Sequence, residues 1–221
     1  MRLIDLTNKS MNALNPVQVR NLSQIKRIAI HHSATEIGGQ MIFENHWQSL
    51  GWRMGGYHEI ILTNGDVEIS YLPSVIVNGV GDHNHDTYHI CVVGSFINGR
   101  VPSKMQMMSL LQRIRFAMKR FDIDVINVLG HNEFANTNRF NHRSNSCPGM
   151  DMNSIRIQLR NTVHENNIGA DNKTHSVVAG ETLWNIARRY NTTVDELVRV
   201  NNIENRDLIK VGQVLNLPVY Q

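Results

Sequence analysis

The sequence predicts an α/β (α+β) domain, a mixed central sheet flanked by helices, followed by a small βααβ unit. Three observations carry this. Strand-like and helical runs interleave along residues 1–162. Two of the strand-like runs are joined by Asn64-Gly65, a strong hairpin signal. Finally, the composition breaks at 163–173, where His164 to Lys173 carry a single large apolar side chain, and the pattern then restarts over 174–221.

Residues 1–26 are mixed and give no pattern. Arg27 to His32 is a β-branched strand that ends on polar groups. A helix is expected from about Gly39 to Leu50. Tyr57 to Leu62 and Val67 to Tyr71 are the hairpin strands. His89 to Phe96 is nearly all apolar, which suits a central strand. Ser103 reads as an N-cap, and Met107, Leu111, Ile114, Met118 and Phe121 follow at helical spacing, so that face should be buried. The methionines are read as core filler. Val125 to Leu129 is expected as a strand running into Gly130-His131-Asn132-Glu133, and 151–160 as a last helix with Asp151 or Asn153 near its start. Beyond the 163–173 linker, strands at Thr174–Val178 and Val214–Leu217 enclose helices at Leu183–Tyr190 and Val194–Asn202, the second capped by Thr193. A unit so small has a thin core.

Composition excludes several classes. Of 221 residues, 41% are hydrophobic and 19% charged, values of a chain that buries a core. The net charge of +3 is too mild for a nucleic-acid partner. No apolar stretch reaches the eighteen or so residues that span a bilayer, so no membrane insertion is expected. Met1 to Lys9 lacks the apolar run of a signal peptide, so synthesis in the cytoplasm is expected. The two cysteines sit in unlike settings and make no disulfide framework: Cys91 lies in an apolar strand and reads as a core thiol, Cys147 in a polar run. A monomer is expected.

The eleven histidines fall partly in clusters. His31 ends one strand, His131 ends another, and Cys147 lies in the loop after it. Each stands where a strand passes into a loop, the usual edge for a site in a sheet protein. Two imidazoles and a thiolate would leave a fourth tetrahedral position open, as in catalytic zinc sites. Their spacing is not that of a metal finger, and the pattern also admits a plainer reading of two polar strand ends and a loop thiol.

Four motifs in order bear on that choice: His31-His32-Ser33-Ala34-Thr35, Gly56-Tyr57-His58, Gly130-His131-Asn132-Glu133 and Cys147-Pro148-Gly149. Together they resemble the type-2 N-acetylmuramoyl-L-alanine amidases, which include amidase-type phage lysozymes and peptidoglycan recognition proteins. The resemblance covers roughly 25–160. It implies a Zn2+ ion held by His31, His131 and Cys147, with His32 in a supporting role and Tyr57 facing the zinc water. His58 is ranked lower, since it points to the opposite strand face. One departure stands out. The phage branch usually carries a lysine two residues before the cysteine, and here that position is Asn145, in a longer loop containing Asn141-His142-Arg143-Ser144. Arg143 or Asn145 could take over the oxyanion, and the sequence does not choose between them.

A second resemblance covers about 174–218. Val178-Ala179-Gly180-Glu181-Thr182-Leu183-Trp184-Asn185-Ile186-Ala187 looks like the opening of a LysM domain, and Leu197, Asn201, Ile209 and Gly212 to Pro218 follow in that family's order. That family binds N-acetylglucosamine-containing glycans. The resemblance places the binding loops at Gly180, Glu181, Thr182 and Leu183 and at Asn202, Ile203 and Glu204. Trp184 is read as a core residue in preference to a sugar-stacking ring. From 171 to 221 six cations balance six anions, so attachment should rest on hydrogen bonds and sugar-face contacts and depend little on salt. The combined expectation is a zinc amidase cutting between N-acetylmuramic acid and L-alanine in peptidoglycan. Without a signal peptide it would reach the wall after release, as a phage or prophage endolysin does. The alternatives are a non-catalytic peptidoglycan-binding protein and a bacterial autolysin or recycling amidase.

Overall fold

The structure is a computed structural model describing residues 1–12, 15–167, 174–178, 180–190 and 192–217. Two compact units divide at Asn161/Thr162.

In the first unit the elements run β1 (Leu3–Asp5), β2 (Arg27–His32), α1 (Gln40–Ser49), β3 (Glu59–Ile61), β4 (Val67–Ile69), β5 (Thr87–Val92), α2 (Lys104–Phe121), β6 (Val128–Gly130) and most of α3 (Met152–Asn167), within which the division falls. The sheet order is β1-β4-β3-β5-β2-β6. It is mixed: β3 pairs antiparallel with β4, while β3, β5, β2 and β6 run parallel. β5 and β2 are therefore central, and every residue of β5 is buried.

Strand alternation sorts the two faces. Ile28, Ile30, Ile90 and Val92 pack with Leu110, Ile114, Ala117 and Phe121 of α2 and with Met152, Ile155 and Leu159 of α3. On the other face Ile60, Cys91 and Val93 meet Phe43 and Trp47 of α1. His31 belongs to that second face, so β2 aims it away from the α2 core. Cys91 is fully buried, the core thiol the sequence implies.

Some expectations shift. Residues 1–26 do hold a strand, β1, paired with β4. Val125 to Asn127 is a 3-10 turn, because the Asp124 side chain accepts from Ile126 N at 2.9 Å and caps it; the strand begins only at Val128. Ser103 caps α2 as expected, accepting from Gln106 N. The deepest face of α2 is nevertheless Gln106, Leu110, Arg113, Ile114 and Ala117, with Met107, Leu111 and Met118 at its margin. Helix α3 reaches Asn167, into the stretch read as linker, and 168–173 lie outside the described residues.

The second unit holds β7 (Thr174–Ser176), α4 (Leu183–Arg189), α5 (Val194–Asn201) and β8 (Val214–Asn216), with β7 and β8 antiparallel. Thr182 and Thr193 cap its helices, accepting from Asn185 N and Glu196 N. Its core is Val177, Leu183, Ile186, Ala187, Leu197 and Leu215. Trp184 is not in it. It is 60% exposed, a correction of the core reading, because Leu183, Ile186 and Ala187 define the buried stripe of α4 and Trp184 lies a hundred degrees off it. Among the described residues, no helix of the chain is long and apolar enough to cross a membrane.

Candidate metal centre

β6 lies beside β2, with Ile30 opposite Gly130. The residues that follow, His31 and His131, therefore emerge side by side, their ring centroids 5.1 Å apart. His131 opens a 3-10 turn, and Asn132 N donates to the Cys147 carbonyl at 2.9 Å, which ties the cysteine loop to that turn. Gly149 completes the placement. Its φ is +70°, and a Cβ there would stand 2.4 Å from the Phe96 carbonyl oxygen, so only glycine lets the loop close against that backbone.

Nδ1 of His31 lies 3.7 Å from Sγ of Cys147, and one ligand atom from each of His31, His131 and Cys147 falls within 4.8 Å of the others. A tetrahedral zinc with ordinary bond lengths holds its nitrogen and sulfur ligands about 3.6 Å apart, a spacing the His31–Cys147 pair already has. The protonation states suit the ion too. Burial holds His31 well below the usual histidine range, reinforced by His131 and His32, and burial with His142 pushes His131 down to about 4. Both rings are thus neutral at pH 7 with a lone pair to give. Burial pushes the Cys147 thiol up to about 12, against a backbone hydrogen bond with His32, so the thiol must shed its proton when it takes a metal. His32 itself is buried and accepts from Phe96 N at 3.2 Å.

A cavity of about 320 Å³ opens over these atoms. Tyr57 lines it, 5.1 Å from the His31 ring. Burial, with Cys91 and Cys147 nearby, raises its hydroxyl well above the ordinary value, so it stays a neutral donor. Asn145 lines the cavity as well; it donates to the His142 carbonyl at 2.7 Å and accepts from Cys147 N at 2.9 Å. Arg143 is exposed, is not among the lining residues, and uses its backbone N–H on Asn136. His58 is buried away from the cavity, accepting from His89 N on Nδ1 and bonded through Nε2 to the Val75 carbonyl. The sequence reading missed Trp47 and Trp52, whose stacked rings, 6.2 Å apart, also line the cavity; Trp52 stands four residues before Gly56-Tyr57, and that proximity was the available signal.

The sequence profile of the N-acetylmuramoyl-L-alanine amidase family matches residues 21–150. The chain belongs to that family. This amidase-family chain also carries a LysM domain, matched at 175–218. Its fold is shared with an endolysin of the Thermus scotoductus bacteriophage Ph2119, at 21% identity and a TM-score of 0.58, over 72% of this chain and 99% of that one. It is shared too with the N-acetylmuramoyl-L-alanine amidase LysC of Clostridium intestinale, at 20% identity and 0.55, over 72% and 98%. The N-acetylmuramoyl-L-alanine amidase XlyA of Bacillus subtilis is 49% identical over 47 residues, 21% of this chain and 16% of that protein. The chain spans less than half the length of the curated relatives it matches.

In the LysM domain Gly180 has φ +85° and Thr182 caps α4. Glu181 is drawn inward, its Oε2 2.6 Å from His175 Nε2 and accepting from Val178 N at 3.0 Å. Asn202 is left-handed at the end of α5. The side chains of Leu183 and Ile203 pack on the core, and Ile203 N donates to the Val198 carbonyl at 3.0 Å.

One consequence concerns acid. Burial depresses His31, His58 and His89 well below the ordinary value, while the unfolded chain protonates them near pH 6.5. Below that pH the unfolded state binds protons that the fold refuses, so stability falls as pH falls. The limiting slope is about 1.4 kcal/mol per pH unit per histidine. The melting temperature of the metal-free protein should drop steeply from pH 7 to 5; a flat profile would contradict the buried neutral state.

Proposed function

We propose that the N-terminal domain is a zinc-dependent hydrolase of the amide between N-acetylmuramic acid and L-alanine in peptidoglycan, used as a phage or prophage endolysin. The carrying observation is the convergence of His31, His131 and Cys147 beneath an open cavity. Family membership supports the bond class. When bound, zinc supplies Lewis acidity and brings the pKa of water toward neutrality. The chain does the rest. Tyr57, whose hydroxyl is bonded to Cys91 beside the cavity, and Asn145, with one amide hydrogen left after its bond to the His142 carbonyl, are the candidate donors to the developing oxyanion. Trp47 and Trp52 give an apolar wall against a sugar or peptide face. The LysM domain holds the enzyme on the wall and raises local substrate concentration. Its candidate glycan contacts are the backbone of Gly180 to Leu183, Asn202 and Ile203, with exposed Trp184 added.

The test is purified wall with and without chelator, scored for free amino groups against reducing ends. Amino groups that vanish with chelator support the amidase. Reducing ends indicate a glycosidase, and no release leaves a binding protein. Within the amidase reading, Asn145→Ala should slow turnover on the order of a hundredfold, the usual loss for one oxyanion donor, and Arg143→Ala should change it little. The reverse ranking would return the oxyanion role to Arg143.

A further inference from the structure

Both histidines of the metal centre have a second imidazole behind them. His31 Nε2 lies 3.2 Å from Nδ1 of His89, and His131 Nε2 lies 3.2 Å from Nδ1 of His142. The two supports come from unrelated places. His89 sits on central strand β5, opposite Ala29, two residues before His31. His142 opens the 3-10 turn His142–Ser144 inside the long loop before Cys147. Both rings are buried, and among the described residues neither Nε2 has a hydrogen-bond partner. Each outer ring thus spends its side-chain hydrogen bond on a ligand histidine. The His89 ring is also clamped. It stacks on His58 at 6°, and a Cβ at Gly79 would stand 2.3 Å from its Nδ1, so the chain keeps a glycine where the ring needs room.

A neutral imidazole carries one N–H. If His31 and His131 carry it on Nε2 and donate outward, each turns an Nδ1 lone pair toward the site. The opposite tautomer puts a proton on Nδ1, which for His31 faces Cys147 Sγ, and blocks ligation there. We propose that His89 and His142 are positioning residues for the metal centre, each accepting from Nε2–H of a ligand histidine and so fixing the tautomer and ring angle that present Nδ1 to the ion. The role normally given to a carboxylate or carbonyl behind a ligand histidine is here taken twice by histidine. This rests on the zinc reading above.

The experiment uses the full chain. Long-range proton–nitrogen NMR of the metal-free protein at neutral pH should show His31 and His131 as Nε2–H tautomers. His89→Leu and His142→Leu should each weaken zinc binding 10- to 100-fold in competition with a chromophoric chelator. Each should also alter the visible spectrum of the cobalt-substituted protein. His89→Asn and His142→Asn, whose amide oxygen can stand where Nδ1 stood, should restore most of the affinity and the spectrum. Nδ1–H tautomers in the wild type, or leucine variants that bind zinc as the wild type does, overturn the proposal. Should a leucine variant fail to fold, the wild-type tautomers decide: Nε2–H supports and Nδ1–H overturns. A wild type that takes up no zinc overturns the metal reading and this proposal with it, whereas variants matching a zinc-binding wild type overturn this proposal alone.

Discussion

Cys147→Ser should lower amino-group release from purified wall by on the order of a thousandfold and strip the protein of stoichiometric zinc, while wall binding through the LysM domain persists. Serine nearly matches cysteine in size, and Cys147 sits in a loop held by its own backbone, through Asn132 N and Asn145 Oδ1. The fold should therefore survive. What changes is the ligand. A thiol pushed up to about 12 can still ionise against a bound divalent cation, whereas a serine hydroxyl does not at neutral pH. Loss of the ion removes a Lewis acid worth several kcal/mol, and each 1.4 kcal/mol or so is tenfold in rate. Metal analysis and turnover should fall together. A serine variant that keeps its turnover with one zinc per chain would show that Cys147 is a bystander.

How much of this was legible depended on how far apart the interacting residues lie in sequence. β2 was readable from residue to residue because a β-branched run ends on two histidines, and the α2 start because Ser103 and Gln106 form a capping box within four residues. β1 was not, since three residues show no periodicity and their pairing with β4 is settled over sixty positions away. The face of α2 was legible only in part, for a related reason: Met107, Leu111, Ile114, Met118 and Phe121 do pack on the core, but its buried centre is shifted toward Gln106 and Arg113. Gln106 and Arg113 look solvent-facing by type, yet one donates to the Val93 carbonyl and the other meets Glu59, so the helix turns them inward. At the site, the three candidate ligands, which the fold does bring together, were readable because four motifs fall in family order. His89 and His142 were not, because strand register places one and an extra loop length places the other, and neither belongs to a motif.

The same burial of polar groups sets the second large effect: Arg113→Met should lower the melting temperature by about 10 °C. Glu59 is fully buried in β3, two residues past Tyr57. Arg113 grips it with two hydrogen bonds of 2.7 and 2.6 Å, and the Tyr88 hydroxyl donates a third at 2.7 Å. Tyr88 remains a donor because burial and Glu59 hold its hydroxyl well above the ordinary value. Removing the guanidinium strands a carboxylate in the core, which costs about 3–5 kcal/mol, and a domain of this size loses roughly 2–4 °C per kcal/mol. Arg113 also lies 4.2 Å over the Phe116 ring, but that ring is 45% exposed and its loss is the smaller term. The double variant Glu59→Leu with Arg113→Met separates the causes. If the stranded charge dominates, the pair of apolar side chains should recover most of the lost stability, since well-packed replacements of buried ion pairs are often neutral or better. If packing dominates, the double variant should be worse than the single one. A single variant melting within about 2 °C of the wild type would mean that water or local opening reaches Glu59, and that this pair does not anchor β3 and Tyr57 beneath the cavity.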